Sequence, residues 1–296
     1  MGDAVLSRLG RFGRSLWEGP SQARAAAADN DADLARAQSA YRQIARQAPY
    51  MRRYARALTG AQPDGDGLVQ RAIDLIQAGS VSLAPELPPR AAVYQVLHSI
   101  WRESLKASLA DGVETPDGLE PESRAALLLS TIEGFNQAEA ALVLSISEAE
   151  LSERLRSAHR ALDSLPLTEV LIIEDEPIIA LDLTRLVRDM GHIVAGAAAT
   201  RSEAVRLAEE IRPGLLLADI RLADGTSGMD AAVEIRRQHN VPVIFITAFP
   251  EYLLTGERPE PAFLITKPFR EDAVKALVGQ ALFFHTLMQP EQVATS

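Results

Sequence analysis

Polar residues that could do chemistry stand at the ends of four short apolar segments in the C-terminal part of this 296-residue chain. The segments are rich in branched residues and apolar on both faces, which is typical of buried parallel strands. In an open α/β sheet, ligands bind at the carboxyl ends of such strands. The sequence therefore predicts that five side chains meet at one sheet edge: Glu174, Asp175, Asp219, Thr247 and Lys267.

The chemistry predicted for these side chains is phosphoryl transfer to a carboxylate. Glu174, Asp175 and Asp219 repel one another, so a cation is expected between them. Ligands that are all oxygen favour a hard ion such as Mg²⁺. A carboxylate beside a divalent ion can accept a phosphoryl group and form an aspartyl-phosphate. Lys267 and the hydroxyl of Thr247 could then bind the new phosphoryl oxygens.

Residues 168–285 resemble a response-regulator receiver domain. The resemblance implies a doubly wound α/β fold of the flavodoxin/CheY-like type, with a five-stranded parallel sheet. It implies that Asp219 is the phosphoacceptor. It also implies a Mg²⁺ site formed by Glu174, Asp175 and Asp219, with the backbone carbonyl of Arg221 as a further ligand.

The same resemblance implies that Thr247 and Lys267 sense the phosphate, but one position departs from the usual pattern. Most receivers carry an aromatic residue three positions before the lysine, and this chain has Leu264 there, flanked by Phe263. The usual aromatic switch is therefore in doubt. Residues 245–250 instead resemble an atypical receiver subfamily that is associated with stress signalling in alphaproteobacteria.

Composition indicates a two-part cytoplasmic protein. The chain has no cysteine, which suits a reducing compartment. No apolar run reaches the roughly 18–20 residues that span a bilayer. The net charge of −10 divides into −7 for residues 167–296 (12 Lys+Arg, 19 Asp+Glu) and −3 for the rest (18 and 21). Neither part carries the basic surface expected of a nucleic-acid binder.

The first 166 residues show helical periodicity and no strand pattern. Turn residues are expected to separate the helices at 59–67, 85–89 and 111–118. Pro49 is expected to divide or kink the first helix. The predicted helices cover residues 34–58, 68–78, 90–109, 119–134, 137–144 and 147–165, the last with Ser147 as its N-cap.

Two segments of this all-α half resemble extracytoplasmic-function sigma factors. Residues 50–60, followed by 66–70, are similar to the core-binding domain of those proteins. Residues 119–141 are similar to their helix-turn-helix domain, and residues 147–162 fall where the recognition helix belongs. The resemblance implies a helical bundle followed by a helix-turn-helix.

The predicted recognition helix is a poor match for DNA. It carries Glu148, Glu150 and Glu153 in the two turns where base contacts belong. Residues 115–165 hold 4 Arg against 9 Asp+Glu, a net charge of −5. Because most affinity for DNA comes from cations that neutralise phosphates, a sigma-like shape without DNA reading is indicated. Three arginines further along the helix leave weak DNA contact open: Arg154, Arg156 and Arg160.

The order of a sigma-like half and then a receiver identifies the chain as a member of the PhyR family of anti-anti-sigma regulators of the general stress response. Membership implies that the unphosphorylated receiver masks the sigma-like half. Phosphorylation by an upstream histidine kinase or phosphotransferase would free that half to capture an anti-sigma factor, NepR in this family. The expected divisions are an extension at 1–35, a core-binding-type domain at 36–110, a helix-turn-helix domain at 115–166 and a receiver at 168–288.

Aromatic and aliphatic residues of two helices are the predicted contacts for the partner, because such side chains dominate binding energy. They are Tyr50, Tyr54, Leu58, Tyr94, Leu97 and Trp101. One alternative is a phosphorylation-dependent DNA-binding regulator or sigma factor. The other is a phosphatase of the haloacid dehalogenase type, which needs a second Asp two positions after Asp219, where Arg221 stands. No enzymatic activity is predicted.

Overall fold

A computed structural model describes residue 44 and residues 46–110, 120–254 and 260–288. The predicted N-terminal extension and the linker at 111–118 lie outside these residues. No helix in the described part of the chain is long and apolar enough to cross a membrane. The expected domain boundaries stay predictions.

The N-terminal half is helical. Its elements are α1 (46–59), α2 (Gln62–Gln77), α3 (Pro89–Ala110), α4 (Pro121–Thr131), α5 (Gln137–Leu144) and α6 (Glu148–Asp163). Helices α3 and α5 pack together, as do α4 and α6. The predicted helix-turn-helix therefore belongs to the same bundle as the first three helices.

The first two helices differ from the expected pattern. Helix α1 runs through Pro49, so the chain is not divided there, and the expected kink stays a prediction. The lost amide donor is offset by an apolar face that includes the fully buried Met51. Helix α2 begins at Gln62, inside the segment that was predicted to be a turn. Pro63 fits there because the first helical turn has no need of its amide proton. Gly65 fits because a Cβ at this position would lie 2.5 Å from the backbone nitrogen of Arg56.

Side-chain caps fix the helix-turn-helix. Asn136 accepts a hydrogen bond from the amide of Glu139, whose side chain accepts one from the amide of Asn136. Ser145 ends α5 in the left-handed conformation, with φ 55°. Ser147 then accepts from the amide of Glu150 and starts α6, as predicted from the sequence.

The C-terminal half is a five-stranded parallel sheet with helices between the strands, and this fold class was predicted. The elements are β1 (Glu169–Ile173), α7 (Pro177–Asp189), β2 (Ile193–Ala198), α8 (Arg201–Ile211), β3 (Leu215–Asp219), α9 (Gly228–Gln238), β4 (Val243–Thr247), a 3₁₀ turn (Pro250–Leu253), β5 (Phe263–Thr266) and α10 (Glu271–Met288). The strand order is β2-β1-β3-β4-β5. The order reverses between β1 and β3, where this class of sheet binds ligands.

Both faces of the sheet are covered. Residues 215–219 and 243–247 are all buried, as a central parallel strand requires. One face contributes to the apolar core that also holds α1 and α3, and the other packs on α8 and α9. The helical half therefore lies against the receiver half along α4, α10 and β5.

Candidate phosphoacceptor site

The sheet brings the predicted site residues to one edge. Asp219 is the last residue of β3 and pairs with Ile246 of β4. Thr247 ends β4 and pairs with Thr266, the residue before Lys267. Parallel strands in this register place their carboxyl ends side by side, which is why the polar residues converge.

Lys267 holds the carboxylates together. Its Nζ lies 2.6 Å from Asp219 Oδ2 and donates to Glu174 Oε1 at 3.0 Å. The same nitrogen is 3.5 Å from Glu176 Oε1. Burial lowers the pKa of Lys267, but the bonds to Asp219 and Glu174 outweigh it and the net pKa is raised. Burial, together with the charge of Asp219, raises the pKa of Glu174 despite the lysine.

Three carboxylates at this edge could hold a cation. Glu174, Glu176 and Asp219 each bring one oxygen within 4.8 Å of the others. Glu174 Oε2 is buried and accepts no hydrogen bond within normal geometry, although Lys267 Nζ is 2.9 Å away. An oxygen-only set with an unsatisfied buried oxygen fits a hard divalent ion such as Mg²⁺.

The structure and the sequence differ on one member of this set. Asp175 was predicted as a ligand from the resemblance, but it does not belong to the group within 4.8 Å, and Glu176 does. Sequence reasoning missed Glu176, although its acidic character two residues beyond Glu174 was visible. Arg221 lies beside the site, with its amide donating to Asp219 Oδ1 at 3.2 Å. The Arg221 carbonyl as a ligand stays a prediction.

Thr247 connects the site to the segment that follows β4. Its Oγ1 accepts a hydrogen bond from the amide of Phe249 at 3.1 Å. Phe249 immediately precedes the 3₁₀ turn. Leu264, which stands where most receivers have an aromatic residue, is 1% exposed in the core next to α8 and α9. The Leu264 side chain is therefore part of the hydrophobic core.

Gly228 is a further site residue that the sequence analysis did not find. A Cβ at this position would lie 1.8 Å from the carbonyl oxygen of Asp219. Glycine therefore lets the first turn of α9 approach the end of β3, where Asp219 lies. The signal in the sequence was weak, because a glycine after Ser227 also reads as an ordinary helix start.

Arginines of α1 reach from the helical half to the receiver half. Arg52 Nη1 donates to the carbonyl of Leu254 at 3.0 Å, just after the 3₁₀ turn. Arg53 Nη1 donates to Thr266 Oγ1 at 3.0 Å. The rest of the Arg53 guanidinium binds Glu133 Oε1 through Nε at 3.0 Å and Nη2 at 2.9 Å.

Arg56 is the most completely bonded of these arginines. Its side chain is fully buried and binds both carboxylate oxygens of Asp66, at 2.7 and 2.8 Å. Its Nη2 also binds Glu260 Oε2 at 2.7 Å, across the interface. The Nη1 atom donates to the carbonyls of Leu253 at 3.3 Å and Pro261 at 3.4 Å. Two carboxylates and two carbonyls therefore compensate one buried charge.

Arg124 of α4 faces the receiver without such compensation. It is 8% exposed and lies over the rings of Phe283 and Phe284 of α10, with its Cζ 5.5 and 4.8 Å from the ring centroids. Burial lowers its pKa to about 10. Among the residues that the structure describes, its buried Nε has no hydrogen-bond partner and no carboxylate forms an ion pair with it.

Comparison with known proteins decides the family. Residues 44–98 match the family described as the Sigma2 domain of PhyR, residues 117–164 match the PhyR sigma-like domain, and residues 170–279 match the response regulator receiver domain. The phyllosphere-induced regulator PhyR of Methylorubrum extorquens is 46% identical over 244 residues, which is 80% of this chain and 91% of that protein.

This chain belongs to the PhyR family. The anti-anti-sigma factor PhyR from Bartonella quintana has a crystal structure that is 42% identical, with a TM-score of 0.76, and the alignment covers 84% of this chain and 97% of that one. A PhyR of the same organism has been solved in complex with the anti-sigma factor NepR; it is 43% identical, covers 82% of this chain and 98% of that one, and has a TM-score of 0.37.

The predicted partner contacts of this PhyR-family chain lie mostly in its core. Tyr54, Leu58, Tyr94, Leu97 and Trp101 are at most 5% exposed, and only Tyr50, among the six, is exposed, at 37%. The Tyr54 and Tyr94 rings lie 5.7 Å apart, and Tyr94 is 5.1 Å from Phe135, so these contacts are internal to the helical half. Their role in partner binding stays a prediction.

Arginines of α6, the helix at the recognition-helix position, form ion pairs within the PhyR-like helical half. Arg154 pairs with Glu122 at 2.9 Å and with Glu150 at 2.7 Å. Arg160 pairs with Glu153 at 3.3 Å. Because carboxylates already neutralise these cations, α6 gains little attraction for phosphates. The geometry agrees with a sigma-like shape that does not read DNA.

Proposed function

We propose that this chain is a phosphorylation-activated response regulator that acts as an anti-anti-sigma factor. Its helical half captures a NepR-like anti-sigma factor and thereby frees a sigma factor of the general stress response for RNA polymerase. Family membership and the anti-anti-sigma description of a Bartonella relative support this function. The observation that carries it is the contact of α1 with β5, where Arg53 binds Thr266, the neighbour of Lys267.

Asp219 is the phosphoacceptor in this proposal, and a phosphohistidine of a kinase or phosphotransferase is the donor. A carboxylate oxygen of Asp219 attacks phosphorus, the phosphorus–nitrogen bond breaks, and the imidazole leaves with the electron pair and takes up a proton. The ammonium of Lys267, already 2.6 Å from Asp219, is placed to bind an oxygen of the transferred group.

Mg²⁺ is the proposed cofactor, held by Asp219 with Glu174 and either Asp175 or Glu176. It would neutralise charge on the transferred phosphoryl group. Asp175→Asn and Glu176→Gln conserve volume and each remove one charge, so titration of the intrinsic fluorescence with Mg²⁺ can compare them. The variant with the larger loss of Mg²⁺ affinity identifies the ligand. Equal, wild-type affinity in both would contradict a site built from this acidic segment.

Two connections could carry the signal to the interface. In the first, the Thr247 hydroxyl leaves the Phe249 amide for the phosphoryl group, and the 3₁₀ turn that follows loses its anchor. The carbonyls of Leu253 and Leu254 at the end of that turn accept from Arg56 and Arg52. Movement of the turn would therefore weaken two interface bonds.

In the second connection, β5 itself is displaced. Lys267 follows Thr266 directly, so a new position of the lysine backbone changes the place of the hydroxyl that Arg53 binds. If the interface has a closed and an open state, one modification is enough to shift the equilibrium between them. A change from mostly closed to mostly open requires about 5 kcal/mol of differential stabilisation, which phosphorylation and the partner would share.

The function is tested by binding of a NepR-type anti-sigma protein to the full chain, with and without a small-molecule phosphoryl donor and Mg²⁺. We expect tight binding by calorimetry only with the donor, and no gain with the donor in Asp219→Ala. Asp182→Ala, an exposed acidic residue of α7, is the matched control and should behave as wild type. Equal binding with and without phosphorylation would refute gating by the receiver.

The closed interface is tested separately with Thr266→Val, which removes the acceptor of Arg53 while conserving volume. A buried charged donor without a partner costs roughly 1.5–3 kcal/mol, so binding without phosphorylation should rise about tenfold or more. Thr131→Val is the control, because its hydroxyl bonds to Leu127 inside α4 and does not cross the interface. A Thr266→Val chain that still needs phosphorylation to the same degree would argue against the β5 connection.

A further inference from the structure

We propose that four arginines of the helical half form a docking surface for an acidic segment of the anti-sigma factor, and that acceptors of the receiver half occupy this surface in the present structure. The arginine face consists of Arg52, Arg53, Arg56 and Arg124. This inference rests on the proposed function and adds the chemistry of the partner.

The first argument is the direction of the interface hydrogen bonds. Arg52, Arg53 and Arg56 donate to a carbonyl, a hydroxyl and a carboxylate of the receiver half. One bond runs the other way, from the amide of Glu260 to Gln62. The charged donors of these bonds therefore belong to the helical half, whereas the receiver half offers neutral acceptors and one carboxylate. Arg53 and Arg56 are also paired with Glu133 and Asp66 of their own half. Among the described residues, the charge that is left for a partner is that of Arg52 and Arg124.

The second argument is the state of Arg124. Its charge is buried against two phenylalanines and has no carboxylate among the described residues. A cation over aromatic rings gains less than one in a bidentate pair with a carboxylate. A partner that placed an Asp or Glu on this guanidinium would supply the ion pair that the receiver does not. Replacement of the receiver by an acidic segment is therefore favoured at this position.

The third argument is the contrast with the rest of the chain. The net charge is −10, and helix α6 turns its carboxylates onto its own arginines. Arg52 and Arg124 of the arginine face form no such ion pair among the described residues, so this face is an exception to the acidic character of the chain. A cationic face selects an acidic partner and speeds its approach. An acidic segment would therefore bind to the arginine face. The aromatic residues predicted as contacts are less available, because Tyr54 and Tyr94 pack on each other.

The test uses the full chain, saturated with a small-molecule phosphoryl donor and Mg²⁺, and a NepR-type anti-sigma protein as the probe. Arg124→Gln should weaken binding roughly tenfold to a hundredfold, the usual loss for one charge-assisted bond. Arg156→Gln is the control, since this arginine lies exposed on α6, and its affinity should stay within about twofold of wild type. Raising the salt concentration should weaken the wild type more than Arg124→Gln.

Rates separate a lost contact from an altered closed state. A lost contact raises the dissociation rate, whereas a more stable closed state lowers only the association rate. Arg124→Lys keeps the charge without the bidentate geometry, and it decides the matter if circular dichroism shows that Arg124→Gln is unfolded. A loss in Arg124→Lys that lies in the dissociation rate supports the arginine face.

Two outcomes overturn the inference, and they are distinguishable. If wild type binds and every Arg124 variant that folds dissociates at the wild-type rate, the arginine face is wrong while the proposed function stands. If the phosphorylated wild type does not bind the anti-sigma protein at all, the proposed function fails and the arginine face with it.

Discussion

The phosphoacceptor site and the arginine face hold opposite excesses of charge. At the site, the carboxylates of Glu174, Glu176 and Asp219 share the single ammonium of Lys267. At the face, Arg124 has only aromatic rings against it, and Arg52 reaches a backbone carbonyl. Each region therefore lacks a different binding partner. The first is suited to a cation and a phosphoryl group, the second to an acidic partner.

The largest expected effect comes from removing the proposed nucleophile, Asp219. Asp219→Ala should abolish phosphate incorporation from a small-molecule donor with Mg²⁺, because no other carboxylate ends β3. Labelling followed by mass spectrometry measures this directly. Labelling at the wild-type level would mean that another residue is the acceptor and that this sheet edge is not the phosphorylation site.

The next effect comes from removing the ammonium that the carboxylates share. Lys267→Met leaves the buried Glu174 without its counter-charge, which costs about 3 kcal/mol in the free energy of unfolding. Mg²⁺ should restore more stability to this variant than it adds to the wild type, because the acidic excess is greater. Urea denaturation with and without Mg²⁺ measures both. An identical Mg²⁺ effect in the two chains would contradict a cation site here.

The geometry of the arginine face can be tested with two glycines of α2. A Cβ at Gly65 would lie 2.5 Å from the backbone of Arg56, so Gly65→Ala should destabilise the chain by about 1–3 kcal/mol. Gly67, in the same helix, has no atom within 4 Å of such a Cβ, and Gly67→Ala should stabilise by about 0.5–1 kcal/mol. Relative to wild type, the denaturation midpoint should fall in Gly65→Ala and rise in Gly67→Ala. Equal shifts in the two variants would count against the close approach of α2 to α1.

The smallest effect concerns pH. Burial lowers the pKa of His98, although Glu122 partly opposes this, and Arg102 and Arg154 lie on the same carboxylate. Because the folded-state pKa is below the ordinary value of about 6.5, the unfolded chain takes up the proton first as pH falls. Stability from neutral His98 is complete above pH 6.5 or so and is lost as pH drops through the folded-state pKa.

His98→Gln should therefore show a smaller fall in the denaturation midpoint than wild type between pH 7.5 and pH 5.5. His192 also has a pKa lowered by burial, and His192→Gln serves as the comparison in the receiver half. An unchanged pH dependence in His98→Gln would mean that folding does not change the pKa of this histidine.

The residues at the sheet edge could be predicted from the amino-acid sequence. Asp219 and Thr247 end buried strands, and parallel strands must bring such ends together. Local signals also placed Ser147 at the start of α6, because an N-cap acts within its own first turn. The family resemblance followed from the order of these segments. Strand patterns and N-caps are short-range or periodic features, so they can be recognised without knowledge of the packing.

The contacts between the two halves could be seen only in the folded chain. Arg124 lies over Phe283, some 160 positions along the chain, and no periodicity relates the two. The start of α2 depended on Gly65 meeting the backbone of α1, and turn chemistry alone misplaced it. Tyr94 was expected to be a partner contact, yet it packs inside the bundle with its hydroxyl on Glu133 at 2.6 Å. The sequence can suggest an aromatic side chain as a partner contact, but only the packing determines whether that side chain faces a partner or the core.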